Sequence, residues 1–373
     1  MPKKIGVFCP TLNVYGGGEF VAIAIANALA QNNHQVILFS ANKVDSKAIK
    51  GFFGENLHPS IESIVQPTHF TPRGLVDFYQ TIFHAYIAKS KCDLFIDAFS
   101  NCVFPWTEIS YIHYPFLNVH SYSRRFPYLG SPHILQVGAL PHVMFENNFV
   151  RYNEKLVLAN SYYTAEEIKK YSDKPVVEVL YPPFSSCISE IGKDTTKKLQ
   201  ENLVVTTSRL EPNKLLERIP RIAAQTDSNI HFAVIGRLYN KETLTNLQNL
   251  TEKLGLTSRV RFYPNASAEQ KIDLLKRAKI YLHTMIGEHF GISIVEAMAL
   301  GCLPIAHNSG GMREFVPQQY RYETTQDAAD KINAEMQNWS REKSLEAQEL
   351  SAKFSYDNFS ERFMELFSKH YAL

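Results

Sequence analysis

Glu288 and Glu296 bracket seven residues in the stretch Gly287-Glu288-His289-Phe290-Gly291-Ile292-Ser293-Ile294-Val295-Glu296-Ala297-Met298. The apolar run Ile280-Tyr281-Leu282-His283 precedes it, so a strand should end there and a helix begin near Ile292. Free N–H groups at a helix start form an anion site, and Gly291 lets a ligand approach the backbone closely. Glu296 is expected in the first turn, where the dipole favours a carboxylate and ribose hydroxyls are good partners. Glu288 is expected on the loop. A surface glutamate followed by a helix-capping one would give the same spacing.

A second group of residues carries positive charge. Ser208-Arg209-Leu210-Glu211-Pro212-Asn213-Lys214 follows the apolar run Leu203 to Thr207. Arg209 offers a planar fork and Lys214 a point charge, a pair that suits a diphosphate at a strand-to-helix junction. Solvation at the surface is the commoner fate of such side chains. Gly16-Gly17-Gly18-Glu19 follows the first strand and opens a helix, which admits a phosphate or sugar and equally makes a tight helix cap. Its spacing is neither that of a nicotinamide-dinucleotide loop nor that of a Walker A loop. His113 closes the run Tyr111-Ile112-His113, where a ligand-facing role competes with a structural one. Gly236, with Arg237, ends another run and either lies near a nucleotide base or turns the chain. The sequence holds no His-x-Glu, His-Glu-x-x-His or Asp-x-Asp element, so neither a metal nor a tightly bound cofactor is expected.

These groups need a scaffold, and the apolar pattern supplies one. Short apolar runs at Ile5–Pro10, Gln35–Ser40, Asp93–Phe99, Glu108–Tyr114 and Lys155–Asn160 alternate with helical stretches, the first near Gly18–Gln31. Tyr181-Pro182-Pro183-Phe184 breaks the pattern, and a polar stretch runs from Ser185 to Asn202. The alternation restarts at Leu203–Thr207 and continues at Ile230–Gly236, Arg259–Tyr263, Lys279–Thr284 and Leu303–His307. Such alternation predicts parallel sheets in βαβ units. The expected architecture is α/β, with two Rossmann-like domains (1–182 and 183–354) facing a central cleft. A last helix, 355–373, should dock back on the first domain through Phe359, Phe363, Phe367 and Tyr371.

Composition narrows the function classes. The 373 residues carry 39 basic and 37 acidic side chains, a net charge of +2 that excludes a general nucleic-acid binder. Five cysteines without a C-x-x-C pair point to a reducing compartment. The start, Met1-Pro2-Lys3-Lys4 and then Ile5-Gly6-Val7-Phe8, reads as a first strand, and no apolar run approaches a spanning helix. A cytosolic protein is expected, with any membrane contact peripheral. The helical stretch Arg73–Lys91 carries Leu75, Val76, Tyr79, Ile82, Phe83, Tyr86 and Ile87 on one face, read as core-packing. The stretch Phe116–Phe149 is rich in aromatics and holds Arg124-Arg125, a mix that suits a lipid-diphosphate acceptor at a membrane surface.

Together these residues resemble the retaining GT-B glycosyltransferases of glycosyltransferase family 4. The marks are the glycine loop at 16–18, Arg209 with Lys214, Glu288 with Glu296, Glu296-Ala297-Met298-Ala299-x-Gly301, and Gly310-Gly311. The resemblance implies that the second domain holds a nucleotide-diphosphate sugar and the first faces the acceptor. It makes Glu288, His113, Arg209 and Lys214 catalytic. It makes Gly17, Gly18, Arg209, Lys214, Gly236, His289, Phe290, Gly291, Ile292 and Glu296 donor-binding, while Arg124 and Arg125 are the acceptor-binding candidates by the basic-aromatic mix around them. A narrower resemblance is to eukaryotic-type α-1,2-mannosyltransferases acting on dolichol-linked oligosaccharide. It rests on Ile112-His113-Tyr114-Pro115, Ala159-Asn160-Ser161, Tyr181-Pro182-Pro183, Glu288-His289-Phe290-Gly291 and Ala306-His307-Asn308-Ser309-Gly310-Gly311. It implies GDP-mannose as donor, a glycan or polyprenyl-linked glycan as acceptor, and no metal. A UDP-sugar transferase on a soluble acceptor, a nucleotide-sugar-binding protein and an epimerase stay open as alternatives. Two residues depart from the pattern: Phe20 follows Glu19 where arginine is common, and Leu215 follows Lys214 where the wider family often has glycine.

Overall fold

The computed structural model describes residues 3–66, 75–101, 103–115, 141, 144, 149–170, 177–193 and 201–371. The chain divides into two compact units, Met1–Pro183 with Tyr356–Leu373, and Phe184–Ser355.

The first unit is built on seven parallel strands: β1 (Lys4–Phe8), β2 (Gln35–Ser40), β3 (Glu62–Val65), β4 (Leu94–Asp97), β5 (Ile109–Ile112), β6 (Leu156–Ala159) and β7 (Val177–Val179). Their order is β3-β2-β1-β4-β5-β6-β7, and β1 pairs in parallel with both β2 and β4. The helices with described ranges are α1 (Gly17–Gln31), α2 (Ser46–Phe53), α3 (Leu75–Lys89) and α4 (Tyr162–Lys169). The sequence pattern missed β3 and β7, since an edge strand of four residues or three carries too little apolar signal to separate from a loop.

Helix α1 starts where Glu19 reaches back to accept from the Gly16 N–H at 2.9 Å, the carboxylate half of a capping box. Every residue from Glu19 to Ala30 is buried, so the helix has no solvent face. The sheet covers one side and the last helix, Tyr356–His370, covers another, packing against α1 within the same unit. Phe359, Phe363, Leu366 and Phe367 are buried there, and the rings of Phe363 and Phe367 lie 6.0 Å apart. Polar groups pin both ends of this helix. The Asn27 amide donates to Tyr356 Oη at 3.0 Å, and the Tyr371 hydroxyl donates to the Glu108 carbonyl at 2.6 Å.

Helix α3 corrects one expectation. Tyr79, Phe83 and Tyr86 are exposed, while the small residues Ala85 and Ala88, with Ile82 beside them, face the core. Of the face read from the sequence, Ile82 packs on the core, whereas the three aromatic positions lie off it.

The second unit repeats the plan with six parallel strands: β8 (Glu201–Thr207), β9 (His231–Gly236), β10 (Val260–Pro264), β11 (Ala278–His283), β12 (Leu303–His307) and β13 (Arg321–Tyr322). Their order is β10-β9-β8-β11-β12-β13. In chain order this is again third-second-first-fourth-fifth-sixth, the doubly wound order whose direction reverses beside the first strand. Its helices are α5 (Ser186–Lys193), α6 (Arg218–Ala223), α7 (Lys241–Lys253), α8 (Ala268–Arg277), α9 (Ile292–Ala299), α10 (Thr325–Gln337) and α11 (Arg341–Ala352). Helix α5 lies inside the stretch read as polar connection, with Ile188 buried. Among the described residues no helix is long and apolar enough to cross a membrane.

The last helix offers a direct test. Phe363 is fully buried in the aromatic row, so Phe363→Ala should remove about 3–5 kcal/mol of stability. Urea denaturation followed by circular dichroism checks this, and a midpoint equal to wild type would reject the packing role.

Candidate active site

At the switch point of the second sheet, β8 and β11 lie side by side and the loops after them carry the charged residues. Lys214 ends a single 3-10 turn, Pro212–Lys214, and Glu288 lies on the loop between β11 and α9. The two meet: Lys214 Nζ is 2.9 Å from Glu288 Oε2, both side chains largely buried. The Thr284 hydroxyl donates to the Lys214 carbonyl at 2.8 Å, and Lys214 Nζ also touches Met285 Sδ at 3.2 Å. The other carboxylate oxygen, Oε1, accepts from the His289 N–H at 3.2 Å. Burial by itself would raise the Glu288 carboxyl, but Lys214, then His283 and His289, hold it well below the usual carboxylate range. It is therefore ionised at neutral pH.

The loop is held from behind by the motif at 309–311. The Gly287 N–H donates to Ser309 Oγ at 2.7 Å and the Gly311 N–H to the Glu288 carbonyl at 2.9 Å. A side chain at Gly310 would bring a Cβ within 2.2 Å of that same carbonyl, which explains the glycine. Leu215, the residue that departs from the family pattern, has φ 52°, in the left-handed region where glycine is cheapest. A conformation that glycine usually supplies is here forced on leucine.

The remaining donor candidates take different places. Arg209 is 43% exposed, lies 2.9 Å from Glu211, and stands over the Tyr239 ring at 5.7 Å. Gly291 precedes α9 with φ 100°, and Ile292 is the first helical residue. Glu296 is not in the first turn: it falls in the second, 3.2 Å from Lys271 Nζ of α8. The side chain of Phe290 belongs to the core, packed on Phe315 and Phe354, so what it offers a ligand is backbone. Gly236 is explained by the chain itself, since a Cβ there would lie 1.6 Å from the Ser208 carbonyl oxygen.

Sequence reasoning passed over residues that tie these pieces together. The buried Tyr281 hydroxyl bonds to the Thr207 carbonyl at 3.0 Å and to Ser293 Oγ at 2.8 Å. It thus joins the end of β8, two residues before Arg209, to the start of α9. Lys271 and His283 were also missed. A tyrosine or histidine inside an apolar strand carries no spacing signal.

A second set lies at the switch point of the first sheet, between β1 and β4. It holds Gly17, Gly18 and His113. The His113 ring packs over Gly18. Its Nε2 is 3.2 Å from the Ala98 carbonyl, and burial pushes its pKa down to about 4. A neutral imidazole facing a carbonyl must carry its hydrogen on Nε2, which leaves Nδ1 as an acceptor. The backbone of His113 is clamped too. Asn101, at φ 57°, accepts through Oδ1 from the N–H groups of His113 and Tyr114 at 2.7 and 3.1 Å. Asp97 shapes that loop by accepting from Phe99 N and Ser100 N at 2.9 and 2.8 Å. Its Oδ2 has no hydrogen-bond partner among the described residues, and burial lifts the carboxyl to about 6. Arg124 and Arg125 lie outside the described residues. Among the described residues no cluster of histidine, cysteine or acidic side chains is arranged to hold a metal ion.

Known proteins resemble the chain in sequence and in fold. Residues 188–358 match the family described as glycosyl transferases group 1. The human protein named GDP-Man:Man(3)GlcNAc(2)-PP-Dol alpha-1,2-mannosyltransferase is 26% identical, over 97% of this chain and 85% of that protein. A Dictyostelium discoideum protein of the same name is 29% identical, over 57% of this chain and 46% of its own length. Among solved structures, Anabaena Alr3699/HepE in complex with UDP and glucose superposes with a TM-score of 0.72. It shares 20% identity, with 98% of this chain and all of that chain covered. The lipopolysaccharide glycosyltransferase WaaG gives 0.66 at 15% identity, with 96% of each chain covered. The fold is that of the GT-B glycosyltransferases.

Asp97 generates a pH dependence. Its folded pKa of about 6 lies above the ordinary 3.8, so its contribution is fully present below that ordinary value and is lost as pH rises through 6. Asp97→Asn keeps the acceptor for Phe99 and Ser100 without the charge. The stability difference should move in favour of the variant by about 2–3 kcal/mol between pH 4 and pH 8. Parallel stability–pH curves for the two proteins, by urea denaturation, would reject a buried ionising Asp97.

Proposed function

We propose that this chain, whose second unit is a glycosyl transferases group 1 domain, is a retaining mannosyltransferase using GDP-mannose and a polyprenyl-linked glycan acceptor. The observation that carries the reading is the buried Lys214–Glu288 pair at the sheet's switch point, with Arg209 on the same connection after β8. The name of the human relative, matched over nearly the whole chain, supports the donor and the acceptor class.

The chemistry follows from charge. When the sugar C1–O bond breaks, negative charge grows on the leaving diphosphate. Arg209, Lys214 and the N–H groups at the start of α9 are the donors that can meet it. In a front-face reaction the acceptor oxygen bonds to C1 on the side the phosphate leaves. The acceptor proton then passes to a phosphate oxygen, and the anomeric configuration is retained. Glu288 lies against the donor sugar, and Glu296 binds the ribose. These cationic and N–H groups supply the charge stabilisation, so no metal is needed. Arg124 and Arg125 are proposed, on sequence alone, as docking charges for the lipid diphosphate at a membrane surface.

Kinetics test the assignment. Arg209→Ala or Lys214→Ala should cut turnover at least tenfold, about 1.4 kcal/mol. Glu296→Ala should mainly weaken donor binding, and Glu288→Ala should mainly lower kcat. Full activity in a folded Arg209→Ala/Lys214→Ala double variant would sink the reading, as would loss of activity with a chelator that a divalent ion restores.

Donor choice is tested separately by thermal shift across nucleotide sugars. GDP-mannose at about 100 times its dissociation constant should stabilise the protein by about 2.7 kcal/mol. A shift with UDP-glucose and none with GDP-mannose would replace the donor. Product NMR should show an α-linkage; conversion of the donor without any acceptor would instead indicate an epimerase.

A further inference from the structure

We propose that His283 is a positioning residue for Glu288, taking over its carboxylate when Lys214 is drawn to the donor diphosphate. The inference rests on the functional reading above and deepens it.

Glu288 Oε2 has two nitrogen atoms near it. Lys214 Nζ is at 2.9 Å, and His283 Nε2 is at 3.4 Å. The second distance is longer than an ordinary N–H···O bond, and His283 Nε2 has no hydrogen-bond partner among the described residues. Yet His283 is only 4% exposed and ends β11, in the middle of a parallel sheet. Its backbone is fixed: its carbonyl accepts from the Tyr322 hydroxyl at 3.0 Å. A buried polar atom without a partner is costly, and this one points at the carboxylate.

Lys214 has one charge and, in the proposed reaction, two anionic claims on it. Its flexible stem lets the ammonium move toward phosphate oxygens as charge builds there. Each step it takes leaves Glu288 Oε2 with less compensation inside a largely buried site, and an uncompensated buried carboxylate is strongly unfavourable. Oε1 keeps its bond to the His289 N–H, which fixes one end of the carboxylate. A small rotation about that end brings Oε2 within bonding distance of His283 Nε2–H. Glu288 then stays ionised and aimed while Lys214 serves the diphosphate. Because the His283 contact strengthens only as Lys214 leaves, it acts on turnover more than on donor affinity.

The test uses the full chain with GDP-mannose and a Man3GlcNAc2-diphosphate-lipid acceptor, and GDP affinity by calorimetry. His283→Leu should lower kcat at least tenfold while GDP affinity stays within twofold, which also shows that the variant is folded. His283→Gln, which keeps an N–H donor, should recover kcat to within about threefold of wild type. In a Glu288→Ala background the leucine change should cost less than twofold, since the group it positions is gone. Wild-type kcat in His283→Leu overturns the inference and leaves the functional reading standing. An undiminished loss in the Glu288→Ala background also overturns it, because His283 would then act on the donor itself. Wild-type turnover in Glu288→Ala alone brings down the site assignment and this inference together.

Discussion

The second unit is organised around one buried ion pair. Lys214 and Glu288 are 74 positions apart in sequence, on loops after different strands, and neither charge can be left alone where it sits. Breaking such a pair typically costs about 3–5 kcal/mol, because the surviving charge stays buried. The surrounding structure reads as a set of devices that keep the pair together. Thr284 holds the backbone of Lys214, Ser309 and Gly311 hold the loop of Glu288, and Leu215 tolerates a left-handed φ so that the turn at Lys214 can form. A hydrophobic pair could fill the same volume at lower cost. In the proposed reaction the cation would serve a departing diphosphate and the fixed carboxylate a reacting sugar.

Both units solve the same geometric problem in the same way. In each, the first and fourth strands of the unit are neighbours, so the loops after them diverge to opposite sides and open a crevice at the carboxyl edge. In the first unit that crevice receives the glycine loop and the Asp97–Asn101 loop; in the second it receives the Lys214 turn and the Glu288 loop. The cores differ in who covers them. Helix α1 has no polar face at all, and this is possible because the last helix returns to lie on it, contributing an aromatic row and the Tyr356–Asn27 bond.

How legible was this in the sequence? The central strands were, because each is a run of buried β-branched and aromatic residues long enough to stand out. The edge strands Glu62–Val65, Val177–Val179 and Arg321–Tyr322 were not, since strands this short give too little apolar pattern to read. The aromatic positions of α3 were read as core, although Tyr79, Phe83 and Tyr86 are exposed and Ala85 and Ala88 are the buried residues. In the site, the charged residues announced themselves by spacing within a single loop. What escaped were contacts between elements: Lys271 on Glu296, Tyr281 between Thr207 and Ser293, His283 beside Glu288. The Tyr281–Thr207 contact depends on strand order, which no local window contains, whereas His283 lies close to Glu288 in sequence and was passed over inside an apolar strand. Gly236 and Phe290 show the reverse error, since residues that sit beside a ligand in a motif can owe their identity to packing.

His113 bears on the proton route of the proposed chemistry. A general base is effective when its pKa lies near the working pH. Burial takes His113 to about 4, and its Nε2 hydrogen is spent on the Ala98 carbonyl. Nδ1 can therefore accept a hydrogen bond from a sugar hydroxyl but holds a transferred proton poorly. The cause is structural and not adjustable by small motions: Asn101 grips the backbone on one side, and the ring lies over Gly18 on the other. A glycine loop that makes room for an imidazole thus also fixes it in the neutral state. Glu288 is no better as a base, because Lys214 keeps its carboxyl far below neutral. In the proposed reaction the oxygen whose basicity rises as the sugar C1–O bond breaks is that of the leaving phosphate. In the proposed front-face reaction the acceptor proton would go there, with the acceptor on the phosphate's own face.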